Sequence, residues 1–275
     1  MLGGFLSRHL DAYWFVLQFL NVHLLLFGGA TAYNSYWDKD EGPIGGLRNP
    51  PKMTPWMWMA SLLLQMIGLL LALPMGSLFI LVYCLSMVLF WLYSTPHARW
   101  KSRPIKSLVA IGLSTGFNSV LLGYLAAGNQ SIPLPVLVAA LGVTFILLSL
   151  YPVSQIYQRK EDSRRGDQTF AVQYGASGVS WFFETAYAAG LLLVTAAFII
   201  QHTYLGILFG IVGGVAGAMA RSTVRNLTAR EEDYKGVMKM KYGTSLSFVA
   251  FLLVVILLKH GEIDGISAVA DLLLR

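Results

Sequence analysis

Two acidic segments, more than a hundred residues apart in an otherwise apolar chain, each carry an amide residue followed four positions later by an aspartate: Asn34 with Asp38, and Gln158 with Asp162. On a helix, positions i and i+4 share a face, so each segment can aim an amide oxygen and a carboxylate at one point. Charged residues in such a chain are costly and tend to serve a purpose. In the first segment Asn34, Asp38 and Glu41 fall at i, i+4 and i+7 if the helix runs on to Glu41, and Gly42-Pro43 must then stop it. The Gly-rich stretch that follows supplies Arg48 and Lys52, a combination that suits a loop folding over phosphate oxygens.

The second segment places Gln155, Gln158 and Asp162 at i, i+3 and i+7, with Glu161 three residues beyond Gln158. Mg²⁺ takes oxygen ligands and commonly binds through one or two carboxylates plus substrate phosphates. Asp38 and Asp162, assisted by Asp40, Glu41 or Glu161, meet that requirement. Two such ions holding a diphosphate would neutralise the charge that gathers on it as a carbon–oxygen bond breaks. The chemistry implied is ionisation of an allylic diphosphate.

The elements that must position these residues are membrane spans. The chain is 56% hydrophobic and only 12% charged, about half the charged share of an ordinary soluble domain. Apolar stretches near the 20-residue spanning length predict eight or nine helices, eight of them in the regions Tyr13–Tyr33, Pro55–Leu73, Ser77–Tyr93, Ser107–Ala127, Pro135–Val153, Val179–Ile200, Tyr204–Ala220 and Tyr242–Leu258. The fold class is therefore all-α, a polytopic helical bundle. The expected organisation is a single domain over residues 1–275, made of pseudo-repeated four-helix halves at about 1–130 and 131–275. The first span reads as retained rather than as a cleaved signal peptide. Cys84 is the sole cysteine and excludes an intrachain disulfide.

Seventeen of the twenty Lys and Arg residues fall in alternate connections, around residues 39–52, 99–106, 159–165 and 221–241. The positive-inside rule makes those connections cytoplasmic, which puts both acidic segments on the cytoplasmic side. The net charge of +6 is thereby explained by topology, with no need for nucleic acid as a partner. Residues 221–241 read as an amphipathic cytoplasmic helix or hairpin. Asn21, His23, Gln65, Asn118 and Glu184 lie within predicted spans and are expected to face the bundle interior. Glu184 is open between a proton-accepting and a structural role. The glycines from Gly206 to Gly217 favour close helix packing.

These residues resemble the UbiA superfamily of intramembrane prenyltransferases, as a divergent member. The resemblance is carried by Asn34, Asp38, Arg48-Asn49-Pro50, Glu161-Asp162, Arg164, Gly166, Thr169 and Gly175, and by the basic loop from Tyr93 to Lys106. Ser35, Gly42 and Gln158 stand where that family places further aspartates, so the site carries less negative charge. The resemblance implies a lipid-open bundle that uses Mg²⁺ to ionise a prenyl diphosphate and alkylates a hydrophobic acceptor, often an aromatic quinone precursor. It assigns Asn34, Asp38, Glu41, Gln158, Glu161 and Asp162 to the metal, with Asn34, Asp38 and Asp162 catalytic. Arg48, Lys101, Arg103 and Arg164 are the implied diphosphate cations. Tyr36, Asn118, Tyr151, Gln155 and Tyr157 are implied to line the substrate cavity, the tyrosines shielding a carbocation or serving as interfacial aromatics. The expected location is a bacterial inner membrane among its lipids. An intramembrane terpene cyclase and a non-catalytic lipid-binding carrier are the other readings.

Overall fold

Residues 1–39 and 42–260 of the computed structural model are described here. Eight helices among them are long and apolar enough to cross a membrane: Ala12–Asp38, Pro55–Met75, Ser77–Ser94, Pro104–Ala126, Leu134–Gln155, Phe170–Gln201, Thr203–Arg225 and Glu231–His260. Each contains one of the predicted apolar stretches almost whole. The surface identifies the solvent they face. Leu192 is 71% exposed and Ile211 62%, while polar Gln65, Asn21 and Asn118 are buried. Apolar outside and hydrogen-bonded polar inside is the pattern that a hydrocarbon surrounding demands.

The buried polar residues find partners on neighbouring spans. Asn21 donates to the Gly68 carbonyl at 2.9 Å and to Gln18 at 2.8 Å. Gln65 accepts from the Trp91 indole at 3.2 Å, and Asn118 donates to Ser86 at 2.9 Å. These bonds fix the rotational setting of the first four spans, since each lost partner would strand a polar group in an apolar medium.

Small residues set the closest crossings. A Cβ at Gly142 would meet the Gly190 carbonyl at 3.0 Å, so the fifth and sixth spans touch backbone to backbone. Gly206, Gly210, Gly213 and Gly217 face Ile199, Thr195, Leu191 and Tyr187 in turn. The seventh span thus lays its glycine face on the sixth, as packing within the bundle requires.

Four expectations are corrected. The first helix does not run to Glu41; it ends at Asp38, where Lys39 takes a left-handed conformation with φ 49°. Glu41 and Asp40 lie outside the described residues. Residues 221–241 are not a separate amphipathic helix but the tip of a helical hairpin. They extend the seventh span to Arg225 and begin the eighth at Glu231, because helices that leave the bilayer stay bonded through their own backbone. His23 is exposed rather than interior. It lies in a π-helical stretch, Asn21–Phe27, and satisfies its ring nitrogen locally against the Phe19 carbonyl at 2.8 Å. Glu184 also misses the interior, for it is drawn to two arginines at the edge of the seventh span. Arg221 lies 2.9 Å and Arg225 2.8 Å from its carboxylate.

Two buried apolar clusters hold the assembly. The larger joins Phe5, Leu26, Phe79, Tyr83, Val136 and Phe198. The second joins Val153, Ile156, Tyr157, Phe170, Phe183 and Val237 and packs directly beneath the second acidic segment. Apolar burial here, at roughly 25 cal/mol per Å², gives the charged loops above it a fixed floor.

Candidate functional site

The site assembles at the end of the bundle where the first span stops, the third ends and the fifth gives way to a short helix, Arg159–Arg165. Asn34 and Asp38, one turn apart, meet side chain to side chain: the Asn34 amide donates to Asp38 Oδ2 at 2.8 Å. Asn34 Oδ1 in turn accepts the Ser94 hydroxyl at 2.9 Å. The other Asp38 oxygen, Oδ1, receives the ammonium of Lys101. Both side chains of that ion pair are only 9% exposed.

Lys101 reaches Asp38 because the chain reverses sharply after the third span. Arg99 adopts a left-handed conformation and a single 3₁₀ turn, Trp100–Ser102, carries the lysine inward. Asp162 approaches the same point from the second acidic segment. Lys101 lies within its electrostatic reach, and the Tyr93 hydroxyl feels both Asp38 and Asp162. Tyr93 also shares a 2.8 Å hydrogen bond with Tyr151, so the two tyrosines bridge the third and fifth spans just below the carboxylates.

Three connections are latched around this centre. Gln158 donates its amide to the Pro43 carbonyl at 3.2 Å, and Arg165 donates to the Lys39 carbonyl at 3.3 Å while pairing with Glu161. The Glu161 carboxylate stands so near Gly42 that a Cβ there would meet Oε2 at 2.8 Å. On the other side Arg99 grips Asp167 with two 2.8 Å bonds, and Gln168 N–H bonds the Ser102 carbonyl. That fork holds the Arg99 guanidinium above its ordinary pKa, chiefly through the Asp167 hydrogen bonds.

The pKa of Asp162 is pushed up to about 6. Burial is the main cause. The Thr169 hydroxyl, bonded to Oδ2 at 3.1 Å, opposes it, the Asp167 charge reinforces it, and Lys101 and Arg165 pull it back. Among the described residues no donor meets Oδ1 of Asp162. A desolvated carboxylate with one uncommitted oxygen is a fitting ligand for a hard divalent cation, which would replace the missing positive charge. No group of three His, Cys, Asp or Glu side chains clusters among the described residues.

The remaining expected residues are distributed unevenly. Gln155 is buried beneath the site, its Oε1 accepting from Ala171 N at 3.4 Å. Arg48, Arg103 and Arg164 are exposed at the rim. Tyr36 packs on Trp37 and Trp58, Tyr157 on Tyr234 in the second apolar cluster, and Asn118 on Ser86 deep in the bundle. None of these three joins the Asp38–Lys101–Asp162 group. Thr169 and the loop from Tyr93 to Lys106 entered only through the family resemblance, and Arg165 and Asp167 were given no role; opposite charges in connections on one membrane face were the available signal for Arg99, Arg165 and Asp167.

An open cavity of about 470 Å³ lies beside the site, between the first span and the segment that folds back over it. Phe27, Thr31, Ser35, Leu47, Pro51 and Met57 are among its lining. It is mostly apolar and of ordinary size for a small-molecule pocket, and Ser35 joins it to Asn34.

Comparison with known proteins agrees with this architecture. The chain is similar to a UbiA homologue from Archaeoglobus fulgidus solved with DMAPP and Mg²⁺, with a TM-score of 0.67 at 14% identity over 89% of this chain and 94% of that one. The same homologue with GPP and Mg²⁺ aligns with a TM-score of 0.64 at 15% identity, over 89% and 94% of the two chains. A digeranylgeranylglyceryl phosphate synthase aligns with a TM-score of 0.63 at 18% identity, covering 92% of this chain and 90% of that one. In sequence, 147 residues are 31% identical to the chloroplastic 2-acylphloroglucinol 4-prenyltransferase of Humulus lupulus, covering 50% of this chain and 34% of that enzyme. The model of the UbiA prenyltransferase family matches residues 1–245, and the chain is an integral membrane protein of the UbiA prenyltransferase family.

Proposed function

We propose that this protein transfers an isoprenoid group from a prenyl diphosphate to a hydrophobic acceptor, an aromatic or quinone precursor, with Mg²⁺ as cofactor. The observation that carries this reading is the buried Asp38–Lys101 pair at one end of a membrane bundle, with Asp162 within electrostatic reach of the lysine. Support comes from structural neighbours that were solved with DMAPP or GPP and Mg²⁺ and from a relative named as a prenyltransferase.

Asp162 is the foremost metal ligand, and the Asn34–Asp38 pair stands across the site from it. Bound Mg²⁺ would supply positive charge against the diphosphate oxygens. Lys101 donates hydrogen bonds to that diphosphate as the C1–O bond breaks and its electron pair leaves with the phosphate. Arg48, Arg103 and Arg164 at the rim attract the anion from solution. Tyr93 and Tyr151 present ring surface to the allyl cation, which such faces stabilise by up to about 2 kcal/mol. The acceptor carbon then bonds to C1 and gives up its proton to the released diphosphate. The apolar cavity beside Ser35 accommodates an isoprenoid or acceptor body entering from lipid.

The basic connections support a cytoplasmic setting for the site end, and the membrane is read as a bacterial inner membrane. The bonded state of Asn34 and Asp38 favours a non-catalytic carrier as the second reading. Purified protein in native lipid extract, supplied with Mg²⁺ and labelled prenyl diphosphates, separates the possibilities. Prenylated acceptor is expected; a cyclic hydrocarbon would indicate a cyclase, and unchanged diphosphate a carrier.

A further inference from the structure

We propose that Lys101 is a built-in cation that takes the place of one of two divalent ions, so that the site works with a single Mg²⁺ on the Asp162 side and an ammonium on the Asp38 side. This rests on the reading of the site as one for a metal-bound diphosphate.

The side-chain oxygens of Asn34 and Asp38 are already engaged by donors. Asp38 Oδ1 takes the Lys101 ammonium, Asp38 Oδ2 takes the Asn34 amide, and Asn34 Oδ1 takes the Ser94 hydroxyl. A hydrogen-bond donor turned toward each oxygen builds a seat for an anion–ammonium pair, whereas a cation ligand needs its lone pairs open. A divalent ion entering here would have to displace the Lys101 ammonium from the carboxylate it is buried against, and breaking a buried pair is costly.

The second segment is built differently. Asp162 has Thr169 on Oδ2 alone, and Glu161 is engaged by Arg165. Lys101 presents a compact ammonium with three donors, of which Asp38 uses one. The other two can serve phosphate oxygens that a second ion would otherwise hold. Gly42 and Gln158 fit this division: the space next to Gly42 is filled by Glu161, and Gln158 spends its amide nitrogen on Pro43. Neither adds an anionic ligand for a second ion.

The test counts metal ions without relying on turnover. Mn²⁺ bound to the full chain in detergent is measured by electron paramagnetic resonance with inorganic pyrophosphate present, and prenyl transfer is assayed in the same preparation. One Mn²⁺ per chain is expected in the wild type. Lys101→Met should admit a second Mn²⁺, while Lys101→Arg, which keeps the charge, should stay at one; size-exclusion profiles confirm folding. Two ions in the wild type would overturn the proposal even if Lys101→Met cannot be purified. So would a single ion in a well-folded Lys101→Met. Two ions together with prenyl transfer leave the transferase reading standing, whereas no metal binding and no transfer would sink both.

Discussion

The side-chain amide of Gln158 donates to the backbone carbonyl of Pro43 at 3.2 Å, joining segments 115 residues apart in sequence. It is a direct tie between the two acidic segments, and it uses the nitrogen of an amide that sequence reasoning valued for its oxygen. Gln158→Asp removes the donor and places a carboxylate against a carbonyl. A neutral hydrogen bond of this kind contributes about 1 kcal/mol, so transfer activity should fall roughly fivefold with no drop in the Mg²⁺ concentration for half-maximal rate. A magnesium titration of both proteins measures this, and a midpoint shifted to lower Mg²⁺ at full amplitude would place position 158 on the metal.

Asp38 and Lys101 should prove energetically coupled. Removing one member of a buried pair costs about 3–5 kcal/mol because the other charge is left uncompensated. Asp38→Asn and Lys101→Met should each lower the thermal midpoint markedly, while the double variant should lie well above the sum of the two losses. Additive losses would show that the two charges do not depend on each other.

Much of this arrangement was legible in the sequence because it rests on local rules. Hydrophobic length located the eight spans, and the Asn34–Asp38 spacing marked one helix face. Lys101 was recognised as a cation for the site, but its contact with Asp38 depends on the left-handed turn at Arg99, which no residue type there announces. Glu184 was misplaced for a related reason. Helix periodicity orients a residue relative to its own span, whereas its partners Arg221 and Arg225 belong to another. The latches at Pro43 and Lys39 use backbone carbonyls, which carry no sequence signature.

Glu184 provides a control. Its partners sit on an outward face, with Arg221 49% and Arg225 56% exposed, and pairs so open to their surroundings are worth little. Glu184→Gln should retain prenyl-transfer activity within about twofold and show an unchanged Mg²⁺ requirement. A large loss of turnover in a folded variant would return Glu184 to the list of proton acceptors.

The raised pKa of Asp162, about 6 in the folded protein, predicts a pH dependence of definite sign. An unfolded aspartate loses its proton near pH 3.9. Between that value and about 6 the metal-free folded protein therefore holds a proton that the unfolded chain has released. Stability contributed by this group is greatest at the acid end of that window and is lost as pH rises through about 6. A divalent cation acts in the opposite direction, since it binds the ionised carboxylate and competes with the proton. Mn²⁺ affinity should be flat above about pH 7 and weaken roughly tenfold for each pH unit below 6. Asp162→Asn should bind Mn²⁺ weakly and without that slope, because no proton is left to compete at the position. Calorimetric titrations across this range measure both proteins, and a wild-type affinity that stays constant down to about pH 5 would remove Asp162 from the metal site.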